Sequence, residues 1–98
     1  MPDISPLNLA NVDLNLLVAF KALMAERNVT RAAEQMGLTQ SAMSNTLARL
    51  RSLLGDPVLV RGAGGMKPTD RALDLIEPVG EALRGIRRAL APRERFDP

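Results

Sequence analysis

The chain has 98 residues, 46% of them hydrophobic and 24% charged, with 13 basic against 11 acidic side chains for a formal net charge of +2. That is the size of one small domain, apolar enough to fold, and it holds no run approaching the roughly 20 apolar residues that span a bilayer. With no Cys and no His, disulfides, thiolate nucleophiles, thiolate zinc sites and the commonest general base are excluded.

The first 12 residues are rich in Pro and Asn and read as a tail. Met1 to Pro6 lacks the basic-then-apolar order of a secretion signal, so a cytoplasmic protein is expected. Asp13 is placed to cap a helix whose Leu16, Leu17, Phe20, Leu23 and Met24 recur at steps of three and four, ending between Glu26 and Asn28. A short second helix runs from about Thr30 to Met36, capped by Asn28 or Thr30. Ala32 and Ala33 allow close packing there, Gly37 stops the helix, and Leu38 is expected to plug the core from the turn. Thr39 caps a third helix reaching about Leu54, whose buried face is Met43, Leu47, Leu50 and Leu54.

Gly55 ends that helix, and Pro57 leads into a short strand, Val58-Leu59-Val60. Gly62 to Gly65 form a turn, Met66-Lys67 a return strand, and Pro68 breaks it. The Gly-rich turn is no phosphate loop, because Lys67 is followed by Pro68. The last helix starts near Thr69, with Asp70 at its positive end. Ala72, Ile76, Val79, Leu83, Ile86 and Leu90 form a heptad seam, read as a dimer interface because so small a domain offers little else to cover it. Pro78 predicts a kink or irregular first turns, and Pro92 ends the helix. The fold class is thus mainly α: a winged helix-turn-helix with a two-stranded β wing and a long C-terminal helix. The segments are a tail (1–12), the winged domain (13–68), the long helix (69–91) and a connector (92–98).

The charge is informative only when divided. Residues 1–26 carry −2, residues 27–71 carry +4 and residues 72–98 sum to zero, and no acidic side chain lies between Gln35 and Gly55. A basic middle is the footprint of a polyanion binder. The third helix turns Ser41, Asn45, Ala48 and Ser52 away from its apolar stripe, with Ser44 on one flank and Arg49 on the other. That small, uncharged face suits base edges, where a surface helix would more often carry Lys and Glu. Phe20 and Phe96 are the only aromatic residues, so stacking of single-stranded bases is excluded. No nucleophile–base pair or acid/base carboxylate pair stands out, and an enzyme is not expected. A winged module that only dimerises or docks proteins is the alternative.

Asp13-Leu14-Asn15-Leu16-Leu17, Val29-Thr30-Arg31-Ala32-Ala33, Leu38-Thr39-Gln40-Ser41-Ala42-Met43-Ser44 and Leu54-Gly55-Asp56-Pro57-Val58-Leu59-Val60-Arg61 together resemble the LysR-type bacterial transcriptional regulators. The resemblance covers about residues 12–91, and with Pro68-Thr69-Asp70-Arg71-Ala72 it is most similar to the branch of nodulation and nitroaromatic-compound regulators. It implies a DNA-binding fragment whose long helix links and dimerises, followed in such regulators by an effector domain of about 200 residues. The implied partners are double-stranded DNA at an inverted-repeat operator and a second copy of the chain, with room for a tetramer in a full-length regulator. No membrane, cofactor, metal or small-molecule ligand is implied for this fragment.

Carried over position by position, the resemblance makes Gln40, Ser41, Ser44 and Asn45 base-reading residues. Thr30, Arg31, Thr39, Arg49, Arg61, Lys67 and Thr69 become contacts to the DNA backbone. Thr39 is first of all a helix cap. Two positions depart from the family pattern: Asn45 stands where Arg is frequent, and the wing tip Ala63-Gly64-Gly65 lacks the Arg common there.

Overall fold

A computed structural model describes residues 7–93. A 3₁₀ turn, Leu9–Asn11, precedes α1 (Leu14–Glu26), α2 (Val29–Met36) and α3 (Gln40–Leu54). The hairpin β1 (Leu59–Gly62) and β2 (Gly65–Pro68) follows, then α4 (Asp70–Leu90). The segment read as a plain tail therefore holds one turn, and the outer parts of both tail and connector lie outside the described residues.

Each helix begins on a side-chain oxygen that accepts an otherwise orphan N–H. Asp13 caps α1 through the Asn15 N–H (2.9 Å), Asn28 caps α2 through Arg31 (2.9 Å) and Thr39 caps α3 through Ala42 (3.0 Å). Thr69 caps α4 through Ala72 (3.1 Å). Thr30, the other candidate cap of α2, lies inside that helix. The first three helices stop in left-handed residues, Arg27 at φ 51°, Gly37 at 68° and Gly55 at 61°, while α4 ends at the extended Ala91. The two glycines take this conformation without the Cβ clash that Arg27 bears.

The core lies where α1, α2 and α3 meet, with Phe20, Leu23, Met43 and Leu50 fully buried. Ala19, Ala22, Ala32 and Ala33 are buried at the helix crossings, where small side chains bring backbones close. Val58 and Leu59 seal the core from the hairpin side and Ala72 from α4. Leu17 and Leu54 are only half-buried, the latter packed on the margin of the cluster.

Several expectations are corrected. Leu38 does not plug the core; it is 36% exposed. Its N–H bonds the Ala33 carbonyl (2.8 Å) as part of the α2 C-cap, and this fixes the direction in which the chain leaves for Thr39. The first strand starts at Leu59, because Val58 is left-handed (φ 68°) and cannot extend the ladder. Pro68 closes β2 opposite Leu59 and does not interrupt it. The long helix runs unbroken from Asp70 to Leu90 with Pro78 inside it, so its first turns are not irregular. That proline is exposed and so is Asp74, the residue whose carbonyl loses its partner, which leaves the orphan acceptor near water. Ala72 is fully buried in the chain's own core and Val79 packs on its edge, so the heptad seam is divided between domain and surface.

Candidate nucleic-acid interface

The exposed face of α3 begins at its capped end. Gln40, Ser41, Ser44 and Asn45 are all exposed, and Ala48 and Ser52 continue the face toward the C-terminus. The buried stripe of Met43, Leu47 and Leu50 fixes this rotation, because any turn of the helix would drag those side chains into water. The N–H groups of Gln40 and Ser41 precede the first intrahelical bond, from Met43 to the Thr39 carbonyl (3.0 Å). They form an electropositive end suited to phosphate. Thr39 uses a lone pair for its cap, so its hydroxyl proton is free to point outward.

The flanking groups divide by what already holds them. Thr30 and Arg31 are exposed on the first turn of α2. Arg49 is paired with Asp13 at 3.4 Å, with both side chains well exposed. An exposed pair of this kind contributes about 0–1 kcal/mol, weak enough to yield to a competing anion. Arg61 and Lys67 are exposed on the hairpin. The register pairs Arg61 with Met66 and Val60 with Lys67, so the two cations lie on opposite faces of the ribbon. The stem of Lys67 lies over Gly62, where an added Cβ would fall 2.8 Å from Lys67 Cδ. The hairpin is joined by Ala63-Gly64, which carries no side chain longer than a methyl.

Thr69 is placed differently from its expected role. Its hydroxyl donates to Asp56 Oδ2 at 2.6 Å and accepts from the Ala72 N–H. A phosphate needs a donor, and this hydroxyl's single proton is already engaged. The sequence reading also missed Arg51 and Asp56. Arg51 donates from Nε to the Pro57 carbonyl (2.7 Å) and from Nη2 to the Leu59 carbonyl (2.9 Å). Asp56 Oδ2 accepts from the Val58 N–H at 2.8 Å as well as from Thr69. These bonds hold its carboxyl below the ordinary value, the Thr69 hydroxyl most and the Val58 N–H next; burial opposes them and the Arg71 charge adds to them. Asp before Pro is a sequence signal for a side-chain-bonded turn; Arg51 left no such signal.

On the far side of α1 runs an open apolar groove of about 740 Å³. Leu14 and Val18 line it from α1, Met36 from α2, and Leu83, Ile86 and Leu90 from α4. No helix among the described residues is long and apolar enough to cross a membrane.

Comparison with known proteins agrees with this geometry. The chain is 50% identical over 92 residues to the HTH-type transcriptional activator NahR of Pseudomonas putida, and 49% identical to NagR of a Ralstonia species. Each match covers 94% of this chain and 31% of the relative, so the chain spans about a third of the length of these curated relatives. A probable transcriptional regulator of Pseudomonas aeruginosa superposes with a TM-score of 0.78 at 41% identity, over 92% of this chain and 30% of that one. The DNA-binding domain of BenM, solved with its benA site, superposes at 0.73 and 24% identity over 81% and 89% of the two chains, a likeness of fold. Residues 14–73 match the model of the bacterial regulatory helix-turn-helix proteins of the lysR family, and with its capped helices, hairpin wing and long α4 the chain belongs to that family.

Proposed function

We propose that this chain is the DNA-reading part of a cytoplasmic transcriptional regulator and binds double-stranded DNA as a dimer. The observation that carries this reading is the exposed, uncharged face of α3, flanked by the free cations of α2 and the hairpin. Gln40, Ser41, Ser44 and Asn45 would meet base edges in the major groove, Asn45 with the geometry for a bidentate contact to adenine. Thr30, Arg31, Thr39, Arg61 and Lys67 would hold phosphates, joined by Arg49 once it leaves Asp13. Thr69 is left out of this set, and the bare Ala63-Gly64 tip gives the wing a backbone-holding role. The names of NahR and NagR as transcriptional activators support a binding role over a catalytic one.

A second copy of the chain is the partner that the apolar groove and Ile76, Leu83, Ile86 and Leu90 on α4 would receive. Two recognition helices would then enter successive major grooves roughly 34–36 Å apart at an inverted repeat.

The test is selection of bound duplexes from a random library, followed by titration of Ser44→Phe. An inverted repeat should emerge, and the variant should lose about tenfold or more in specific affinity with little change on random duplex, as expected for one disrupted base contact. Equal losses on both duplexes would remove Ser44 from the base-reading set. No binding even at low salt would favour a protein-docking module.

A further inference from the structure

The segment between α3 and β1 is held from both sides. Arg51, in the last turn of α3, grips the carbonyls of Pro57 and Leu59 at 2.7 and 2.9 Å. One oxygen of Asp56 receives the Val58 N–H and the hydroxyl of Thr69, the cap of α4. The Thr69 N–H returns a bond to the Val58 carbonyl at 3.0 Å. Between these anchors sits Val58, fully buried with φ 68°. A β-branched residue keeps such a conformation only where its surroundings over-determine it. The end of the recognition helix, the root of the wing and the start of the long helix are therefore one hydrogen-bonded unit.

We infer that Asp56 is a positioning residue that locks α3 to α4, and that through this lock it sets the half-site spacing the dimer accepts. The second clause rests on the DNA-binding reading above. If α4 joins the two copies, its angle to α3 fixes how far apart the two recognition helices stand. Asp56 touches neither base nor phosphate in this scheme. Its carboxylate matters because one charged oxygen accepts a donor from its own loop and one from the cap of α4, and charge-assisted bonds hold geometry more stiffly than neutral ones.

Two measurements test this on the whole chain. In the first, native protein, Asp56→Ala, Thr69→Val and Thr69→Ser are titrated on the selected inverted repeat, on repeats with half-sites a base pair nearer or farther, and on a single half-site. Asp56→Ala and Thr69→Val should lose spacing discrimination by about fivefold or more, with half-site affinity unchanged, and Thr69→Ser should retain it. Unchanged discrimination in Asp56→Ala, or a parallel loss on the single half-site, would overturn the role in spacing.

The second measurement needs no DNA. The chain has no cysteine, so nitroxide pairs at Ser52→Cys and Glu81→Cys, diluted into unlabelled protein, report the α3–α4 distance within one chain. Asp56→Ala should broaden a narrow native distribution, and identical widths would overturn the lock itself. Native protein with no preference for the repeat over a half-site would overturn the dimeric reading and the spacing clause, while the nitroxide distances would still decide the lock.

Discussion

Two threonines show how much a single residue's role depends on its neighbours. Thr39 and Thr69 both precede a helix and both cap it by accepting an N–H three residues on. The hydroxyl proton of Thr39 remains available to a phosphate, whereas that of Thr69 goes to Asp56 at 2.6 Å. Local sequence identifies both as caps; the second fate depends on a carboxylate 13 residues earlier, brought close by the hairpin. Thr39→Ala should lower stability by about 1 kcal/mol, and Thr39→Ser should be near neutral, in denaturant titrations. For Asp56 the sign follows from its depressed pKa. Its contribution is complete above the unfolded carboxyl's value and disappears as pH falls through the lower folded value. Asp56→Asn should therefore melt below the native protein at neutral pH, and the gap should narrow in acid, below about pH 4. A gap that stays constant across that range would mean the charge is irrelevant there.

At the scale of elements, all four α-helices were legible from caps and apolar spacing, since both signals are local. The strand boundary was not. Pro57 and the β-branched run suggest a strand from Val58, but the hydrogen bonds to Asp56 and Thr69 hold that residue left-handed, and pairing begins one residue later. Leu38 was misplaced for a related reason: its hydrophobicity argued for burial, while the C-cap geometry of α2 directs the chain outward. Pro78 bears directly on α4. The helix runs through it with the proline exposed, so the missing backbone bond is a removable defect. Pro78→Ala should stabilise the chain by about 1–3 kcal/mol, read as a higher melting temperature. An unchanged or lower value would show that Pro78 is needed where it stands.

At the scale of the molecule, the basic middle of the sequence becomes exposed cations on α2, α3 and the hairpin, and the exposed face of α3 that begins at Gln40 is uncharged. DNA affinity should fall steeply with salt, with a log–log slope of about −0.9 for each phosphate neutralised. Removing Arg31 or Arg61 should reduce that slope by about one unit each, whereas Arg51→Met, which loses a brace for the wing, should leave it unchanged. The exposed half of the α4 seam makes a matching prediction. Ile86→Glu should shift sedimentation toward monomer and weaken binding to an inverted repeat more than to a half-site, because a charge placed in an apolar groove opposes its burial.

By itself the sequence determined the helices, the turn, the wing and the uncharged exposed face of α3, because capping and periodicity act over a few residues. Tertiary structure decided what the long helix does with its apolar seam. Ala72 is drawn into the core of α1, α2 and α3 and Val79 packs on its edge, while Leu83, Ile86 and Leu90 line the open groove and Ile76 is exposed. It also decided that Arg51, Asp56 and Thr69 bind one another's segments. Those contacts span 6 to 13 residues of irregular chain and hairpin, and only the folded backbone brings their ends within hydrogen-bond reach.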